Sequence, residues 1–438
     1  MKIKKYVSTF TYILPALVVF FSQFNLAFHF LSEYAYVEGY FVNYYDFVIH
    51  IVDLCLLGAF VWYMVSGKLW RNRSWLILSL FSVALWAVHN MIFRDVIVFY
   101  WSIRLLLYFL STLSIHYAIS NMKKKEKTNV GRYLVWAFSG AIVFQTIIIC
   151  IQFFTNRVVG LNFLGESAVQ TGISGTSAVV LSNGIFLRGY GTFPHPNVAG
   201  GFISVGILYL LCFTLFQKDK KRWLLIFPLL IGLVGLFLTW SRSAWTFSSI
   251  STLVIAYLYL RRRRSSVIRK GLGAVLIIMG LVLIWFAASN DDVAVGLRDR
   301  LISQSKRYDE SVVQRNLLNQ RAVEMYESNI LTGVGAGKFI YRLSADSIYT
   351  SEGLRIMQPA HNVFLLASAE LGFMALWVFS YFLYHSLKGL RRNCFLFFPL
   401  LFVVVVGNLD HYPITVPQGL LILISMDFLI AIGESIDN

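Results

Sequence analysis

Four short stretches of this sequence pair residues able to hold a phosphate with residues able to move a proton. Residues 188–200 read R-G-Y-G-T-F-P-H-P-N-V-A-G and carry Arg188, His195 and Asn197. Residues 239–243 read T-W-S-R-S and carry Arg242. Arg315 and Arg321 lie six residues apart, followed by Gly333-Val334-Gly335-Ala336-Gly337. His361 and Asn362 follow Pro359-Ala360. A guanidinium stays charged and grips phosphate through two parallel hydrogen bonds. Several of them meeting would suit a pyrophosphate, and a sugar linked to one leaves when the departing charge is stabilised. A neutral histidine beside it could take the proton of an attacking hydroxyl.

Each residue also has a plainer reading. Arg188 reads as a loop charge, and Arg242 as a side chain that snorkels to the membrane interface. Arg315 and Arg321 read as anchors holding a surface helix to lipid headgroups. His361 reads as a helix-start residue with a local hydrogen bond, and His195 as a residue shaping the Pro194-His195-Pro196 turn. Asn197 and Asn362 read first as helix caps. What raises the functional reading is their joint placement on one side of a membrane.

That placement comes from the composition and the loop charges. The 438 residues are 57% hydrophobic and only 14% charged, against about 25% charged in soluble domains, so lipid must solvate most of the chain. The net charge of +16 suits cytoplasmic loops, which collect Lys and Arg, and does not call for nucleic acid. The four cysteines, Cys55, Cys150, Cys212 and Cys394, all fall in apolar runs and read as small core residues. The basic start and the long apolar run after it read as a first span, too long for a signal-peptide core. A helical span takes about 20 residues, and the apolar runs give about twelve of them. They are Phe10–Leu31, Tyr44–Val65, Trp75–Phe93, Val96–Ile119, Tyr133–Phe154, Val198–Phe216, Trp223–Leu238, Ala244–Leu260, Gly271–Ala288, Asn362–Tyr384, Cys394–Val406 and Val416–Ile432.

The gaps after even-numbered spans are basic, as at Lys123–Lys125 and Arg261–Arg264, and the odd gaps are not. This predicts an all-α integral membrane protein with both termini cytoplasmic. The four motifs then face the other side. Two long outer loops, residues 155–197 and 289–360, belong to that face. A helical pattern at Ser311–Ser328, with Val312, Leu317, Leu318, Ala322 and Met325 on overlapping faces, is expected to lie along the membrane surface. Along the chain, residues 1–154 form a five-helix region and residues 155–438 carry the motifs. The sequence holds no HExxH, Walker loop or Gly-x-Ser-x-Gly, and Asp291-Asp292 is adjacent where a metal clamp would need spacing. Neither metal nor cofactor is expected.

At these residues the chain resembles the O-antigen ligase and O-antigen polymerase family. The likeness rests on residues 188–200, 239–243, 315–339 ending in G-V-G-A-G-K-F, and 361–372, H-N-V-F-L-L-A-S-A-E-L-G. The first five spans match in topology alone. The resemblance implies a metal-independent, inverting glycosyltransferase of GT-C-like helical fold in a bacterial inner membrane. Such an enzyme moves a glycan from undecaprenyl pyrophosphate to a hydroxyl of a glycan or a lipid A core. By motif, Arg242 and Arg315 would bind the donor pyrophosphate, His361 would activate the acceptor, and Arg188 and Asn197 would line the donor entrance. Asn319 stands where the family often has Trp, which leaves open whether Arg315 or Arg321 faces the phosphates; the spacing to Gly333 favours Arg315. The competing class is a twelve-span transporter or flippase of lipid-linked sugars, for which Asp53 and Arg104 are the mid-membrane charges. A scaffold would need no clustered arginines.

Overall fold

A computed structural model describes residues 2–30, 32–66, 69–70, 72–173, 175–181, 184–216, 220–262, 310–345, 355–377, 379–380, 383–384 and 397–436. The span expected at Gly271–Ala288, Asp291, Asp292, Cys394 and, of the loop 289–360, residues 289–309 and 346–354 lie outside these residues. The described chain is mostly helical, as expected of an all-α membrane protein. Five described helices, Arg73–Phe93, Val96–Ser120, Lys124–Thr155, Pro196–Phe216 and Lys221–Leu238, are long and apolar enough to cross a membrane. Shorter apolar helices include Ile51–Val65 and Pro417–Leu429. The chain groups into two compact units, Met1–Phe138 with Glu310–Asn438, and Ser139–Asp309.

In the first unit the helices are α1 (Lys2–Phe21), α2 (Ile51–Val65), α3 (Arg73–Phe93), α4 (Val96–Ser120) and the first part of α5 (Lys124–Thr155). Local chemistry sets their ends. Asn72 caps α3 by accepting from Trp75 N, Arg94 closes it in the left-handed region, and Asp95 caps α4 by accepting from Ile97 N and Val98 N. Two residues thus suffice to turn the chain. Between α1 and α2 the expected spans are trimmed. The strands β1 (Ala27–His29) and β4 (Val48–His50) pair antiparallel with Phe28 opposite Ile49, and β2 (Tyr36–Val37) pairs with β3 (Tyr40–Phe41). Helix α2 starts at Ile51 instead of near Tyr44 because His50 and Asp53 form a reciprocal capping box there, which satisfies the free N–H groups of the first turn.

Asp53 and Arg104 are knitted into structure. Tyr108 Oη donates to Asp53 Oδ1 at 2.5 Å, and Arg104 Nη2 lies 3.4 Å from Asp53 Oδ2 and 2.8 Å from His50 Nδ1. A second buried pair, His116 Nδ1 to Asp427 Oδ2 at 2.9 Å, ties α4 to the last helix. Outward faces are apolar: Ile77, Leu80 and Met91 on α3 are each more than 60% exposed, which suits lipid and not water.

The same unit continues with α9 (Glu310–Ser328), α10 (Phe339–Ser344), α11 (Val363–Leu371), α12 (Phe397–Val405), α13 (Tyr412–Thr415) and α14 (Pro417–Ile436). The helix expected at Ser311–Ser328 exists, and one of its faces packs against protein. Leu318 and Ala322 are fully buried in one core with Leu366, Ala369 and Leu371 of α11. The span expected at Asn362–Tyr384 breaks at Gly372, which has φ +56, because its Cα comes too close to the backbone of Gly333 and Leu331 for any side chain.

The second unit is built on α6 (Pro196–Phe216), α7 (Ile226–Leu238), α8 (Arg242–Arg262) and the rest of α5. Nearly all of α6 is buried, and its small residues let neighbours approach closely. A Cβ on Gly200 would meet Ala244, Ser241 and Thr239 at 3.0 Å. Small residues at crossings are how helices pack in lipid. The loop before α6 carries a hairpin, β5 (Ala178–Leu181) with β6 (Gly184–Leu187).

Candidate functional site

In the second unit two of the motifs lock together. Arg188 is buried; its Nε donates to Thr239 O at 2.9 Å and its Nη2 to Asn197 Oδ1 at 2.8 Å. Gly189 N donates to Leu238 O at 3.0 Å. The guanidinium therefore binds the R-G-Y-G segment to the T-W-S-R turn, and Arg188 is not a loop charge. Asn197 is not a cap either: α6 begins at Pro196, and its side chain receives Arg188 while its N–H donates to His195 Nδ1 at 3.1 Å. His195 Nε2 lies 2.9 Å from Ser177 Oγ, so both ring nitrogens are engaged in shaping the turn. Trp240, buried with φ +51, lets the chain reverse so that Arg242 opens α8. Sequence reading missed Gln145 and Gln152 on α5. They take up the N–H groups of Tyr190, Gly191 and Thr192 at 2.8–3.0 Å and leave no room for a side chain at Gly191. Buried amides in a predicted span were the signal for them.

In the first unit the H-N motif meets a second missed pair. Asn362 caps α11, accepting from Phe364 N and Leu365 N, and its Nδ2 donates to Asn408 Oδ1 at 3.1 Å. Val363 N donates to Gly407 O at 2.7 Å. These bonds hold His361 beside Asp410 and His411. His361 Nδ1 is buried without a hydrogen-bond partner and lies 3.7 Å from Asp410 Oδ1. Its ring centroid is 5.0 Å from that of His411. Asp410 Oδ1 also accepts from His411 N at 2.8 Å. Thr415 Oγ1 donates to His411 O and lies 2.7 Å from His411 Nδ1. Burial pushes the His411 pKa down to about 4; Asp410 opposes this, and the charges of His361 and Arg315 reinforce it.

The two arginines of α9 separate. The charge of Arg315 reaches His411. Arg321 Nη1 pairs with Glu324 Oε2 at 2.6 Å at a half-exposed position. The donor atoms of His361, Asp410 and His411 all lie within 4.8 Å of one another.

Compared with known proteins, residues 227–380 match the model of the O-antigen ligase family, Wzy_C. Those residues belong to the O-antigen ligase family. The match spans roughly a third of the chain and contains Arg242, Arg315, Arg321, His361 and Asn362. Arg188, His195 and Asn197 precede it, and Asp410 and His411 follow it. No curated protein and no solved structure matches the chain.

Proposed function

We propose that this protein is a membrane glycosyltransferase of the O-antigen ligase and polymerase type. It moves a glycan from undecaprenyl pyrophosphate to an acceptor hydroxyl on the extracytoplasmic face, without a metal and with inversion at the anomeric carbon. The observation that supports this best is the His361–Asp410–His411 group under the charge of Arg315, beside the family's His-Asn motif. The acceptor oxygen forms the new bond to the anomeric carbon from the face opposite the leaving group. The old bond from that carbon to the pyrophosphate oxygen breaks, and the acceptor proton passes to His361. Asp410 steadies the imidazolium that results, a short closure from 3.7 Å being ordinary as a site fills. His411, held neutral by burial, does not compete for that charge. Arg315, and Arg242 by its motif, take the pyrophosphate and stabilise the charge it gains. Arg188 acts one step back, holding the turn that presents Arg242, with Asn197 as its partner. His195 and Asn362 shape the backbone on which these groups stand.

The acceptor is a lipid A core or a growing glycan, with a protein hydroxyl as a further variant. The deciding experiment gives purified protein in lipid nanodiscs the undecaprenyl-pyrophosphate glycan with each acceptor and identifies the product. Transfer lost in His361→Ala and Arg242→Ala, with both variants inserted and monodisperse, is the expected result. Full transfer by either variant removes the role assigned to it. The transporter reading gains no support from Asp53 and Arg104, which are engaged with His50 and Tyr108 in a local network.

A further inference from the structure

Glu370 lies on α11, fully inside the first unit, and the mechanism above does not use it. Its carboxylate is not paired with a base. Oε2 accepts from Gly337 N at 2.9 Å and Oε1 from Phe339 N at 3.2 Å, with Tyr44 Oη at 3.4 Å from Oε1. The two backbone strips also bond directly: Val334 N donates to Ala369 O at 2.8 Å, Gly335 N to Glu370 O at 3.0 Å and Phe373 N to Leu331 O at 3.2 Å. The glycines make this approach possible. A Cβ on Gly333 would sit 2.4 Å from the Glu370 backbone, and one on Gly337 would sit 2.1 Å from Trp101. Behind the carboxylate is a cavity of about 110 Å³ lined by Trp101, Trp377 and Phe379 among others. Nothing apolar there could replace Glu370 as acceptor, and buried N–H groups need one.

We infer that Glu370 is a positioning residue, a carboxylate latch that holds the G-V-G-A-G loop to α11 and so fixes α9, with Arg315, relative to the start of α11, with His361. The loop is thereby a packing device, its N–H groups turned inward to protein and not outward to a phosphate. The latch itself stands on the contacts above; its effect on transfer rests on the function proposed for Arg315 and His361.

The test uses full-length protein in nanodiscs. Glu370→Gln keeps the shape and one carbonyl acceptor but faces the second N–H with an amide donor. Hydrogen–deuterium exchange over residues 333–339 is expected to speed up on the order of tenfold or more in this variant. The donor KM is expected to rise more than kcat falls. Glu370→Ala should show the same, more strongly. Unchanged exchange in both variants overturns the latch. Faster exchange together with full transfer by Arg315→Ala keeps the latch and removes the donor-binding reading instead.

Discussion

At the residue scale the arginines do different work. Arg188 has two short bonds to protein and holds a turn, whereas the charge of Arg315 reaches His411. Arg315→Ala is therefore expected to lower kcat/KM by at least about a hundredfold, the scale of losing a charge that faces the leaving group. Arg321→Ala should stay within a few-fold, since Arg321 pairs with Glu324 on its own helix; assays of the two variants side by side decide the point. Arg242→Lys should also be impaired, because an ammonium cannot reproduce a two-pronged grip. Asp410→Asn should cut kcat about tenfold or more while leaving donor KM nearly unchanged, as expected for a group that steadies a developing imidazolium.

At the element scale the segment from Gly407 to Thr415 presents the chemistry, and its stability should depend on pH. His411 has a folded pKa of about 4, below its unfolded value of about 6.5. The unfolded chain thus binds more protons, and stability rises with pH across that interval. The neutral half-buried ring is fully compatible with folding above about pH 6.5, and stability falls as pH drops toward 4, by up to about 3 kcal/mol at the low end. Thermal unfolding between pH 4 and 7 should show this slope, flattened in His411→Gln. The glycine loop is a second such element. Gly333→Ala, at φ +66 and against the Glu370 backbone, should destabilise by about 1–3 kcal/mol or more, read as a lower midpoint of thermal unfolding.

For the whole molecule, membrane orientation is the property on which the proposed reaction depends. Reporter fusions at residues near 190 and 360 should read extracytoplasmic, and fusions after Ser120 and after Phe216 cytoplasmic, following the basic gaps. The opposite pattern would remove the assignment, because a glycan donor presented outside could not reach those motifs.

Apolar runs and basic gaps determine that this chain is a helical membrane protein, since only lipid tolerates such runs and only one side collects Lys and Arg. Hydropathy also located the motif arginines and the His-Asn pair, because charge and turn residues stand out against apolar sequence. Helix ends were less legible: α2 starts at a capping box and the tenth span breaks at a glycine, features that an apolar average smooths away. The tertiary structure alone decided which polar residues are partners. Asp410 and His411 lie some fifty residues from His361, Glu370 reads as one more polar residue in an apolar helix, and Arg315 and Arg321 look alike in sequence. Contact between distant segments leaves no periodic trace along a chain, so only the packing of α9 against α11, and of Gly407 against Val363, could show which side chains meet.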